Sequence, residues 1–504
     1  MMLIEGSVMN RVIDYFKQYI GVVSIVLAVC ILLTYSLSYF KVNIDNKRAA
    51  EMYVGELKYS IEIDGNSTNT LNVPAGETIV DVNVTNQNGV DTYFKLLYLK
   101  NSNVTISYYN ETKDTSETYT KYISSGDEID KNITETLKLK IINNSTSTQT
   151  LTFSVSGGYS TNKLTDVEIP NTYSEITTLE TPDANTYFCK ISSTLSVGLE
   201  YVNGQYTYRY MQEGGYSSNG LGWNNIREDG WGVQLTDKTS TDAVTSKLCT
   251  YINNKPVVSM SYMFYNSKAT TLDLSNFNTS NVTNMWSMFS ESQATTLDVS
   301  NFNTSKVTNM DSMFYDSQAT TLDVSNFDTS KVTNMRWMFR GSEATTIDVS
   351  NFDTRNVTTM EAMFQSSQAT TIDVSNFNTS NVTSMSCMFS GSQATTLDVS
   401  NFNTSNVTDM SYMFSGSQAT TIDVSNFNTS KVTNMRGMFY KIKAKTIYSS
   451  DKFVTNSVTN SDNMFGYATN LVGGNGTAYN SSYVDKTYAR IDTASTPGYF
   501  TLKN

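Results

Sequence analysis

The sequence predicts a membrane-anchored multidomain chain: an N-terminal transmembrane helix, an all-β sandwich, then an α/β solenoid of 25-residue coils with terminal caps. Three observations carry that expectation. The pair Met-Phe recurs at Met263, Met288, Met313, Met338, Met363, Met388, Met413 and Met438, and a fixed period of this size marks stacked repeats. Residues 19–40 form an uncharged apolar run, long enough for a helix to span a bilayer. Between the two, short bursts of apolar and polar residues alternate with period two, the pattern of half-buried strands. At 504 residues the chain is too long for one core.

Taken in order, residues 1–18 read as a short cytoplasmic tail, 19–40 as the transmembrane helix and 41–56 as a stalk. Tyr19, Tyr35, Tyr39 and Phe40 sit near the ends of the apolar run, as interfacial aromatics do. Arg11 and Lys17 precede the run and Lys41, Lys47 and Arg48 follow it, so flanking charge gives no clear orientation. Composition and repeats place the C-terminal part at the cell exterior, on a bacterial plasma membrane crossed once.

Residues 57–157 read as a β-sandwich of immunoglobulin-like size. Val80, Val82 and Val84 interleave with Asp81 and Asn83, Leu137, Leu139 and Ile141 with Lys138 and Lys140, and Leu151, Phe153 and Val155 with Thr152 and Ser154. Residues 158–182 read as a linker, 183–256 as an N-terminal solenoid cap, 257–467 as the repeat solenoid and 468–504 as a C-terminal cap. A solenoid needs its open ends covered.

Within one unit, ATTLDLSNFNTSNVTNMWSMFSESQ from Ala269, the segment Thr271 to Ser275 alternates as a strand. Val282, Met285, Met288 and Phe289 then recur at three- and four-residue spacing behind Thr279 and Ser280, which reads as a short capped amphipathic helix. Strand, corner, helix and return make one coil, and stacking builds a continuous Leu/Phe/Met core.

The units LDVSNFNTSKVTNMDSMF and LDVSNFDTSKVTNMRWMF and the tail GGNGTAYNSSYVDKTYARIDTASTPGYFT resemble those of BspA-family leucine-rich-repeat surface proteins. The resemblance covers roughly residues 257–501. It implies a leucine-rich-repeat-like α/β solenoid, export and display, and for some members adhesion to host proteins or other cells. It assigns no catalytic residue. Ala269 and its equivalents stand where such repeats usually begin with leucine, which implies a narrower coil.

The chemistry is sparse. A net charge of −12 offers no basic stripe for nucleic acid. The absence of histidine removes Ser-His-Asp and Cys-His nucleophiles and His-based metal sites. Of the four cysteines, Cys30 lies in the apolar run, Cys189 and Cys249 are candidates for a disulfide in an oxidising exterior, and Cys387 has no evident partner. Asp273, Asp298, Asp323, Asp348, Asp373, Asp398 and Asp423 form one outward row. Neighbours about 5 Å apart repel by roughly 0.8 kcal/mol in water, so a solvated polar ladder is the simple reading and cation binding the sharper one.

Variation is concentrated beside Met-Phe. The ligand-binding candidates are therefore Trp286, Tyr315, Arg336, Trp337 and Arg340, residue types that dominate protein interfaces. No catalytic, cofactor or metal residue is assigned, and no cofactor. The expected function is a cell-surface-displayed repeat protein without enzymatic activity: an adhesin or protein-binding module for host or neighbouring-cell ligands. The alternative is a passive spacer or antigenic display protein. The expected partners are the membrane, through the N-terminal helix, and an extracellular protein or cell-surface ligand.

Overall fold

The computed structural model describes residues 57–109, 128–158, 169–189 apart from 181 and 184, 199–211 apart from 204 and 205, 230–245 and 248–503. The chain divides into two compact units, one ending at Pro182 and one spanning Asp183–Asn504.

The first unit is two sheets around one core. Its strands are β1 (Tyr59–Ile63), β2 (Thr70–Val73), β3 (Gly76–Asn86), β4 (Thr92–Leu99), β5 (Val104–Tyr109), β6 (Glu128–Ile129), β7 (Thr134–Asn143), β8 (Gln149–Gly158), β9 (Tyr173–Glu175) and β10 (Leu179–Glu180). One sheet runs β1-β3-β7-β5-β10 and the other β2-β8-β4-β6, with β9 also on β4. Period-two alternation explains the faces: Val80 and Val82 pair across from Leu139 and Leu137, and all four are fully buried with Phe94, Leu151 and Phe153. On the opposite face, Asp81 and Lys138 are direct cross-strand partners in an ion pair of 2.7 Å.

The second unit begins with a cap of β11 (Phe188–Cys189), β12 (Leu199–Asn203), β13 (Tyr206–Met211), β14 (Trp231–Leu235), β15 (Tyr251–Ile252) and β16 (Lys255–Ser259), in the order β11-β15-β16-β14-β13-β12. A disulfide joins Cys189 to Cys249, with Cα atoms 5.9 Å apart. The cap passes into the first coils without a break. Leu235 N–H donates to Met263 O, and Val244 bridges Leu272 in parallel.

The coils stack in register. Parallel bridges link Ser259, Asn284, Asn309, Asn334, Thr359, Ser384, Asp409, Asn434 and Asn460 in sequence, so Met464-Phe465 adds a ninth coil at a spacing one residue longer. Regular strands in this stack are short: β17 (Thr296–Leu297), β18 (Thr321–Leu322), β19 (Thr421–Asp423) and β20 (Thr446–Ser449). The aspartate cuts them short. Asp298 Oδ1 accepts from both the N–H and the hydroxyl of Ser300, a local turn that leaves the ladder after two or three residues. At the far end β21 (Phe500–Leu502) returns beside β20 as a third parallel strand.

Here the expected strand–helix coil is corrected. Among the described residues the one helical element is a 3-10 turn at Lys486–Tyr488, and the stretch read as a helix is a chain of overlapping turns. Met288 N–H donates to Met285 O, Ser290 to Ser287 O and Ser292 to Phe289 O. The intervening amides of Met285, Ser287, Phe289 and Glu291 donate outward to Asn309, Asp311, Met313 and Tyr315 of the next coil. Ser287 and Glu291 stand at φ 52° and 56°, which no α-helix accommodates. Turns of the i→i+3 kind bring every third residue inward, as a helix does. The spacing of Met285, Met288 and Phe289 therefore fits both, and the inter-coil bonds decide. The α/β leucine-rich-repeat coil is replaced by an almost purely β and turn coil.

The single-pass anchor is corrected as well. No helix of the described residues is long and apolar enough to cross a membrane, and residues 19–40, on which that expectation rests, lie outside the described residues. The membrane as partner and the plasma-membrane placement rest on that same segment, and no described residue supports them. Cys30 also lies outside the described residues.

Side-chain ladders lock the coils. Phe264, Phe289, Phe314, Phe339, Phe364, Phe389, Phe414, Phe439 and Phe465 stack with centroids 5.5–5.9 Å apart and planes within 12°. A second phenylalanine column, Phe277 to Phe427, and the alanine column from Ala269 are equally buried. A buried serine row runs beside the alanine column. Ser292 Oγ, fully buried, accepts from Ala294 N–H at 3.4 Å, and the equivalents repeat this. Buried Thr304 and Thr329 donate to the carbonyls of Asp328 and Asp353 in the following coil. Asn401 and Asn426 Nδ2 each donate 2.8 Å to a serine carbonyl of the preceding coil, so the asparagine row sews coil to coil.

Candidate functional site

The variable residues lie on the turn edge, where each coil reads like Met335-Arg336-Trp337-Met338-Phe339-Arg340-Gly341. Because the methionines and phenylalanine point inward and are fully buried, the positions before Met338 and after Phe339 point out. The residue just before Met-Phe is left-handed in every coil: Tyr262, Ser287, Ser312, Trp337, Ala362, Cys387, Tyr412, Gly437 and Asn463 have φ between 50° and 58°. Aromatic residues there are strained relative to glycine.

Four of the five candidates meet. The Arg336 guanidinium lies 4.1 Å from the Trp337 ring centroid, and Arg340 lies 4.9 Å from Trp337 and 5.2 Å from Tyr315. Tyr315 and Trp337 are 6.0 Å apart. Arg336 also pairs with Glu361 of the next coil at 3.3 Å. Arg340 makes no ion pair among the described residues, so its planar donors are held on two rings and left open. Arg336 and Arg340 share the indole because the left-handed Trp337 throws its ring between them, not because they stand four apart on a helix.

Trp286 sits apart, 4.7 Å from Tyr262, which is in turn 5.4 Å from Tyr265. Sequence reasoning passed over both tyrosines, although their position beside Met263-Phe264 places them in the columns of Trp337 and of Tyr315 and Arg340. Burial pushes the Tyr262 phenol up to about 12, against the hydrogen bond to Ser287, so it is a neutral donor at physiological pH. Burial also raises the Asp311 carboxyl, opposed by Ser312, Asn334 and Arg336.

A third group was missed at the far end. Arg436 lies 5.8 Å over Tyr412, and Lys441 lies 5.2 and 5.5 Å from the Tyr440 and Tyr467 rings. A Cβ on Gly437 would stand 2.4 Å from the Tyr412 ring, and one on Gly466 2.9 Å from that of Tyr440. Each ring thus leans onto a glycine of the next coil.

The aspartate row is different in kind. The Ser300, Ser325 and Ser375 hydroxyls, with the matching N–H groups, hold Asp298, Asp323 and Asp373 below the usual carboxylate range. Each carboxylate is engaged within its own coil. Cys387 is the free thiol among the described cysteines, and burial raises it.

A capped stack of coils that bond through main chain and buried ladders, varying most along one outward edge, defines a repeat scaffold that presents side chains. The family described as "Mycoplasma protein of unknown function, DUF285" matches residues 239–346, 317–421 and 367–479, so the repeats are similar to those of a bacterial family. No curated protein and no solved structure matches the chain.

Proposed function

We propose that this chain is a displayed bacterial repeat protein without enzymatic activity, an adhesin whose turn edge binds a protein ligand. The observation that carries the reading is the cluster of Tyr315, Arg336, Trp337 and Arg340. Aromatic and arginine anchors, stacked on one another before any ligand arrives, lose little entropy on binding. The finer resemblance of the repeats to BspA-family surface proteins supports display and adhesion. The Cys189–Cys249 disulfide supports an oxidising compartment.

The test is saturable binding of the full chain to immobilised extracellular-matrix proteins and to intact cells. Trp337→Ala with Arg340→Ala is expected to weaken binding by roughly 2 kcal/mol, about thirtyfold, with the melting temperature kept. Asp398→Asn is expected to leave affinity unchanged. Non-saturable binding that ignores the double variant would favour a passive spacer.

A further inference from the structure

The three aromatic groups lie on one edge of the stack. The parallel bridges from Ser259 to Asn460 hold every coil in the same register, so the two positions before Met-Phe and the two after it form four columns along the stack. Tyr262, Tyr265 and Trp286 occupy coils one and two, Tyr315, Trp337 and Arg340 coils three and four, and Tyr412, Arg436 and Tyr440 coils seven and eight. Tyr467 closes the row in coil nine and is 64% exposed. The coils between present Glu361, Ala362, Gln365, Ser386, Cys387 and Ser390, small or polar side chains that raise no wall across the path.

We infer that the ligand of this edge is an extended polypeptide segment lying along the solenoid axis and anchored at coils three to four and again at coils seven to eight. The inference rests on the binding reading above and goes further in fixing the ligand's shape. Coils stacked at strand spacing rise about 4.8 Å each, so Tyr315 and Tyr440, five coils apart, are separated by roughly 24 Å. About seven extended residues are needed to cover that distance.

Both anchor groups pair an arginine with aromatic rings. Arg436 is exposed and, like Arg340, makes no ion pair among the described residues. Planar guanidinium donors suit the carboxylates and carbonyls of a peptide, and the rings suit its apolar side chains. The serines and glutamine between are able to bond peptide groups. Two weak anchors joined by one chain give avidity that neither supplies alone.

The experiment selects random dodecapeptides displayed on phage against the full chain, then measures the enriched peptide and its two hexapeptide halves by fluorescence anisotropy. The dodecapeptide is expected to lose at least tenfold in affinity with Arg436→Gln, and likewise with Trp337→Ala plus Arg340→Ala. Each half is expected to bind at least a hundredfold more weakly. A half that binds as tightly as the whole and ignores Arg436→Gln overturns the two-anchor inference and leaves the single-site reading standing. Failure of any dodecapeptide to enrich, with cell-wall polysaccharide bound instead, overturns it in favour of a glycan. If nothing binds, both readings fall. Arg436→Lys, which keeps the charge without the planar fork, is expected to restore less than half of the loss.

Discussion

Ser366 shows how much a single dihedral decides. It stands at φ 56°, in a column where Gly341, Gly391 and Gly416 occupy other coils at φ 64–67°. In the helix expected from the apolar spacing, Ser366→Gly would cost about 0.5 kcal/mol. At a left-handed position the sign reverses, because only glycine adopts that conformation without steric penalty. Ser366→Gly is therefore expected to stabilise the protein, by up to about 1 kcal/mol in urea melts. A loss of stability would restore the helix. The same reasoning marks Trp337 and Tyr412 as residues kept despite backbone strain, which is where function is sought.

At the scale of the element, the coil depends on its columns and the C-terminal cap on one carboxylate. Phe352 is 3% exposed in the second phenylalanine column, and Phe352→Ala is expected to cost about 3–5 kcal/mol by opening a cavity. A value under about 1 kcal/mol would mean the column closes without it. In the cap, Asp492 is buried, which opposes its ionisation. The Thr477 hydroxyl and the N–H groups of Thr477, Asn475 and Gly498 outweigh that and lower its pKa. A lowered folded value means its stabilisation is complete above the unfolded value of about 3.9. It is lost as pH falls through the folded one. Melting temperatures between pH 7 and pH 2 are expected to fall below about pH 4. Asp492→Asn is expected to melt lower at pH 7 and to show a shallower acid decline. An unchanged decline would assign the acid loss to the aspartate rows alone.

At the scale of the molecule, repeat arrays gain stability from contacts between neighbours, and the ends are the weak points. The N-terminal end is closed by the cap and its disulfide, which spans 60 residues. Cross-links over loops of that length stabilise by about 4 kcal/mol through the unfolded chain. Cys189→Ser with Cys249→Ser is expected to lower the first thermal transition while coils near Phe414 keep their hydrogen-exchange protection. Simultaneous loss of protection in all coils would show that the array unfolds as one unit.

The sequence alone determined the period, the inward columns and the edge that varies, because each follows from spacing and from contrast between repeats. Val80 and Val82 announced a strand, and Met263 to Met438 announced a stack, since burial of one face imposes a period whatever the backbone does. What it left open was how the backbone closes each coil. Met285, Met288 and Phe289 satisfy a helix and a run of i→i+3 turns equally, and intrinsic preference favours the helix. Only the stack decides. Alternate amides find carbonyls in the next coil, buried serine and threonine rows accept or supply the remaining bonds, and together they outweigh the cost of left-handed residues in every repeat. The same choice set the candidate site. Trp337 meets Arg336, Arg340 and Tyr315 because a left-handed turn directs its ring along the edge, a geometry that no pairwise spacing in the chain contains.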